Sequence, residues 1–196
     1  MLVEYRYNQT MKTSNTQAFL LLGCLLATGC SAPQAKVASP SERAASEADY
    51  ERLKGLTGSW YLVGGERLGK TVEANLEEPF LTYAVSSGGH SVVEKLFVEK
   101  PTEMISIYYL DMGRLNMDHY CSLGNQPRMV AIPGSDELIS FELVGISDMP
   151  DENDLHISSH ALEFKGPDDL TVYWGATEDR KSFDGSVYHV RRLDQP

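Results

Sequence analysis

The chain has 196 residues, 42% of them hydrophobic, with 28 acidic residues against 17 basic ones and a formal net charge of −11. That balance argues against a nucleic-acid partner, because phosphate binding needs clustered Lys and Arg. It argues equally against a surface that hugs anionic lipid, since such surfaces are basic.

The first organised segment is a basic n-region, Met11 and Lys12, followed by a polar stretch and an apolar run from Ala18 to Ala27. Small residues then lead to a cysteine, in Leu25-Leu26-Ala27-Thr28-Gly29-Cys30. This is the pattern of a secretory signal, and the run is too short to cross ~30 Å of hydrocarbon. Met1 to Thr10 adds nothing a signal needs, so Met11 reads as the truer start. A cysteine placed directly after the small residues resembles the lipobox of bacterial lipoproteins. The resemblance implies cleavage before Cys30, lipidation of its thiol and new amino group, and a membrane attachment through acyl chains alone. Ser31 at the next position fits outer-membrane sorting, so the implied location is the bacterial envelope, on the outer membrane facing the periplasm. Leu21-Leu22-Gly23-Cys24 is a rival lipobox with a shorter apolar run behind it, and a chance cysteine in an ordinary signal peptide is the bland alternative.

With that processing, Cys24 leaves, Cys30 carries lipid and Cys121 stands alone among the three cysteines. No intrachain disulfide is then available, although the compartment would permit one. The organisation that follows is a signal over 1–29, a lipidated cysteine and flexible tether over 30–50, and one domain over 51–196. About 145 residues suffice to bury roughly two thirds of the unfolded surface, so the core must hold the fold. Within the tether, Ser39-Pro40-Ser41-Glu42 forms a capping box with Pro at the first helical position, and Gly55 suits a stop after Lys54. A short helix leading into the domain is expected there.

Beyond Gly55 the pattern changes to period two. Trp60–Val63, Phe80–Val85, Ser91–Val98, Met104–Leu110 and Leu115–Cys121 are short, aromatic and β-branched. So are Met129–Ile132, Leu138–Val144, His156–Phe164, Leu170–Trp174 and Val187–Arg192. Ser86-Ser87-Gly88-Gly89, Asp111-Met112-Gly113, Pro133-Gly134-Ser135, the stretch from Lys165 to Asp169, and Phe183-Asp184-Gly185 punctuate them. Roughly ten strands without a long helix between them predict an all-β fold, an antiparallel up-and-down barrel of about 8–10 strands preceded by the short helix.

Gly58-Ser59-Trp60, opening the first strand, resembles the Gly-x-Trp signature of lipocalins and their calycin relatives, in which the indole closes the barrel base. The longer stretch from Asp118 to Met129 is similar to the "T-H-Y-C-x-x-x-N-Q-P-R-M" motif of a family of bacterial lipocalin-like proteins. The strand ending in Glu94, the strand Met104–Tyr109 and the hairpin Phe164–Trp174 match that family too, so the resemblance covers nearly all of the domain. Asp118 replaces the usual Thr, and Tyr109 stands where that strand usually carries His. The resemblance implies a lipocalin-like barrel with Trp60 as its closing residue.

Strand alternation puts Leu115, Met117, His119 and Cys121 on one face, and His156, Ser158, His160, Leu162 and Phe164 on another strand's face. The apolar members should point inward and take the histidines, the thiol and Glu94 into one lumen. The ligand-binding candidates are therefore His119, Cys121, Glu94, Arg128, His156 and His160. Arg128 is included because a guanidinium at the barrel mouth or base could grip a carboxylate or phosphate, though a structural latch is the plainer role. An inward His is more often a hydrogen-bonded core residue than a ligand. His156 and His160 lie ~13 Å apart on a strand, and Cys121 and His119 ~6–7 Å, so neither pair makes a metal site or an activated nucleophile. With no Gly-x-Ser-x-Gly elbow and no phosphate loop, no cofactor and no metal are expected. The leading reading is a membrane-anchored barrel that binds a small, largely apolar molecule. The rivals are a filled barrel serving as an envelope interaction protein and, more weakly, an enzyme of hydrolase or metal type using His119 and Glu94.

Overall fold

The computed structural model describes residues 37–193. The signal-like segment with Met11, Cys24, Cys30 and Ser31 lies outside the described residues. Helix α1 (Pro40–Gly55) forms where the capping box stands. The Glu42 N–H donates to Ser39 Oγ at 3.3 Å and the Ser39 N–H donates to Glu42 Oε2 at 2.8 Å, so two N–H groups that a helix start leaves open are satisfied. Ser46, Tyr50 and Leu53 are buried, so the folded unit reaches back into the segment expected to be tether.

The strands are β1 (Gly58–Arg67), β2 (Lys70–Val72), β3 (Leu81–Ser86), β4 (Ser91–Leu96), β5 (Met104–Asp111) and β6 (Arg114–Tyr120). They continue as β7 (Gln126–Ser135), β8 (Leu138–Ser147), β9 (His156–Phe164), β10 (Asp169–Glu178) and β11 (Lys181–Arg191). Each strand from β3 to β10 pairs with the next in sequence, β1 pairs with β3, and β11 returns to β1. Ten strands thus close an antiparallel up-and-down barrel of lipocalin-like type, and the short β2 lies outside this ring, against the second half of β1. Closure leaves the ring without a free edge.

Three details depart from expectation. The strand β2 has no counterpart in the period-two reading. Pro133-Gly134-Ser135 does not turn the chain but lies in β7, where the pairing with β8 slips between Ile132 and Ser135. Phe183-Asp184-Gly185 lies in β11, where Trp174 faces Ser186 and Gly175 faces Asp184, so Gly185 is a one-residue bulge. Gly and Pro mark bulges as readily as turns. The actual β10–β11 turn is Asp179-Arg180, with φ of 50° and 60°, a left-handed pair that hairpins favour but side chains resist.

Helix α1 seals one end. Tyr50 Oη donates to the Gly89 carbonyl at 3.2 Å, the Ala38 N–H to Met112 at 3.1 Å, and Arg192 to Gly55 at 3.0 Å, tying the helix region to the β3–β4 and β5–β6 turns and to the chain after β11. Trp60 is fully buried at this end; its Nε1–H donates to the Leu56 carbonyl at 2.8 Å and the Arg192 guanidinium lies 4.7 Å over its ring. Leu53, Leu81, Val92, Leu115, Met117, Met129, Ile139 and Leu162 fill the core beside it. Among the described residues no helix lies over the opposite end, where β4–β5, β6–β7, β8–β9 and β10–β11 connect.

Candidate functional site

Register brings the interior polar groups together. Tyr83, Glu94, Ser106 and His119 are directly opposed partners on β3, β4, β5 and β6. Facing them, Phe141, His160 and Trp174 are opposed partners on β8, β9 and β10. Opposed residues on one face of a sheet stand within contact distance, so two belts form from seven strands. Ser106 Oγ lies 3.2 Å from Glu94 Oε1 and 3.0 Å from His119 Nδ1. Tyr108 Oη lies 2.7 Å from Glu94 Oε2 and 3.0 Å from His160 Nε2, joining the belts. His160 Nδ1 is 3.0 Å from the Tyr173 carbonyl, and its ring packs on Trp174 with centroids 4.0 Å apart. Tyr83 Oη faces the same carboxyl without a hydrogen bond of normal geometry.

Burial sets the charge of this network. It pushes the Glu94 carboxyl up, against the opposing pull of the Tyr108, Tyr83 and Ser106 hydroxyls. It pushes His119 down to about 4. For His160, burial and then the neighbouring His119 bring it down to about 3, so both rings are neutral near pH 7.

Beside His119 the barrel opens into a cavity of about 120 Å³ at the uncapped end. Its walls are mainly apolar, with Leu96, Phe97, Met104, Ile157, Trp174 and Tyr188 prominent. His119 belongs to the wall, with its Nδ1 edge held by Ser106. The Nε2 of His119 is buried and has no partner, and the same is true of Trp174 Nε1. A buried polar atom without a partner costs about 1–3 kcal/mol, which makes this wall unusual in a folded core.

Of the six candidate residues, His119, Glu94 and His160 lie in one network, and Cys121 lines the cavity rim with Sγ 3.9 Å from Met104 Sδ. Burial raises the Cys121 thiol, which makes it a poor nucleophile. Two expectations fail. His156 does not share the lumen, because the β9–β10 register slips at Ser158, so that Ile157 rather than His156 faces inward; His156 Nδ1 instead sits 2.8 Å from the Asp154 carbonyl. Arg128 stands on the outer face, where its Nε–H donates to Asp118 Oδ1 at 2.9 Å, and it reaches no lumen group. The same alternation that buries Met117 and His119 turns Asp118 outward.

Tyr83, Ser106, Tyr108 and Trp174 are site residues that the sequence reading did not single out. The signal was present: Met104, Ser106 and Tyr108 share the inward parity of β5, which places a hydroxyl pair on an apolar face. Ser106 stands between acid and imidazole and is itself buried, so the acid does not orient the imidazole as it does in a nucleophilic triad. Among the described residues no three His, Cys, Asp or Glu side chains lie close enough to hold a metal ion. Comparison with protein-family models and with curated proteins finds no match.

Proposed function

We propose that this chain is a lipid-anchored lipoprotein of the bacterial envelope whose barrel binds a small, largely apolar molecule at its uncapped end. The observation that carries the binding reading is the apolar cavity with the unpartnered His119 Nε2 in its wall. A closed barrel with one sealed and one open end suits such a role, because a lumen encloses a ligand while the strands stay paired. The anchor rests on the lipobox resemblance around Cys30, and the resemblance to bacterial lipocalin-like proteins supports the pairing of anchor and barrel.

Mass spectrometry under native conditions, on protein purified from its own host, tests the binding reading. A retained small molecule is the expected result, and a uniformly empty barrel would count against it. For the anchor, Cys30→Ala is expected to release the protein from membranes or leave it unprocessed. A Cys30→Ala protein found in the membrane fraction at mature size would refute lipidation. A second reading is favoured by one observation: Tyr83, Tyr108, Phe141, Met117 and Met129 fill the lumen, and the cavity beside His119 measures about 120 Å³. Drug-sized ligands occupy sites of about 300–1,000 Å³. A filled barrel serving as an envelope interaction protein would retain nothing in the same experiment.

A further inference from the structure

We propose that the cavity, taken as the ligand site of the preceding reading, selects a neutral molecule of about one ring that carries a hydroxyl, and that the hydroxyl donates its hydrogen to His119 Nε2. The acceptor state of that nitrogen follows from the direction of the hydrogen bonds in the buried network. The Tyr173 carbonyl can only accept, so His160 Nδ1, 3.0 Å away, carries a hydrogen. Tyr108 spends its single hydrogen on Glu94 Oε2 at 2.7 Å, and the Tyr173 carbonyl holds the His160 ring. Ser106 likewise donates its single hydrogen to Glu94, at Oε1 and 3.2 Å. Ser106 Oγ has then only lone pairs to offer His119 Nδ1 at 3.0 Å, so Nδ1 carries the hydrogen and Nε2 does not.

The chain from Glu94 through Ser106 to His119 thus runs in one direction. At its end an imidazole lone pair stands without a partner in an apolar wall, which calls for a donor. A carboxylate would set lone pair against lone pair and bury an unpaired charge. A hydroxyl that donates to His119 keeps lone pairs of its own, which suits the unpartnered N–H of Trp174 on the same wall. Size gives the other limit: a cavity of about 150 Å³ lined by Leu, Ile and Phe holds benzene, and this one, smaller at about 120 Å³ but open at its mouth, admits no more than one ring.

The test is calorimetric titration of the full chain in lipid nanodiscs, with empty nanodiscs as the blank, using phenol, anisole and benzoate. Anisole keeps the ring and the oxygen but has no hydrogen to give. Wild type should prefer phenol to anisole and ignore benzoate. In His119→Phe the phenol-to-anisole affinity ratio should fall about tenfold or more. Glu94→Gln supplies an N–H toward Tyr108 and a carbonyl toward Ser106, so it should keep the preference. A wild-type preference for anisole or benzoate, an unchanged ratio in His119→Phe, or its loss in Glu94→Gln would overturn the hydroxyl assignment while ligand binding stands. If none of the three compounds binds, the ligand-site reading itself fails. Should His119→Phe not fold, the wild-type order of phenol and anisole decides alone.

Discussion

Trp60 carries the sealed end of the barrel through three different contacts: its burial against Leu53 and Leu56, its N–H on the Leu56 carbonyl, and the Arg192 guanidinium over its face. Trp60→Ala would leave a cavity that a helix and two strands frame, and a stability loss of about 3–5 kcal/mol is expected, seen as a lower urea midpoint. That is a large share of the 5–15 kcal/mol typical of a domain. Residues such as Trp60, His119 and Glu94 were legible because a strict period of two fixes which side chains point inward. His156 was not, because a single extra residue at Ser158 reverses the parity beyond it, and bulges leave no trace in a hydropathy pattern. Ser106 and Tyr108 escaped notice for another reason: their importance comes from partners on neighbouring strands, which the chain does not carry nearby.

Strand pairing places its own demand at the seam between β1 and β11. A methyl group at Gly65 would overlap the Val187 carbonyl oxygen and come within 3.1 Å of Tyr188 Cα, so only glycine lets the two backbones approach this closely. Gly65→Ala should weaken the barrel by about 1–3 kcal/mol in urea unfolding. Gly145 on β8 is the matched control, since a methyl there meets nothing within 4 Å; Gly145→Ala should be neutral or stabilising by up to about 1 kcal/mol. Equal losses in the two variants would mean that the seam is not closely packed. At this scale the number of strands in the ring was readable from sequence and several of their ends were not. Asp179-Arg180 turns the chain without a glycine, while Gly134 and Gly185 sit in strands.

Over the whole molecule the buried network makes stability depend on pH in two opposed ways. His119 and His160 have folded values of about 4 and about 3 against an ordinary 6.5. Between those limits the unfolded chain binds protons that the folded rings refuse, so stability falls as pH drops from 6.5 toward 3. Glu94 acts the other way: its folded value lies above the ordinary 4.5, and its contribution is lost as pH rises through that value. Urea midpoints across pH 4 to 8 should therefore decline on the acid side, and His119→Phe should flatten that decline. Below about pH 6, where the two histidines outweigh the one carboxyl, a midpoint that rises on acidification would refute neutral, buried histidines. The excess of acidic residues seen at the outset says nothing of this, because the groups responsible are few and deep. One consequence of the closing seam concerns time rather than stability. Tyr61 pairs with Arg191 and Leu62 with Val190, contacts separated by almost the whole domain. Helices and hairpins can form early from near neighbours, but the ring cannot close until its last strand arrives, and contacts of such long range slow folding. Until then β1 and β10 each present an open edge, so the interval between making β10 and seating β11 is when this chain is most exposed to pairing with another copy of itself.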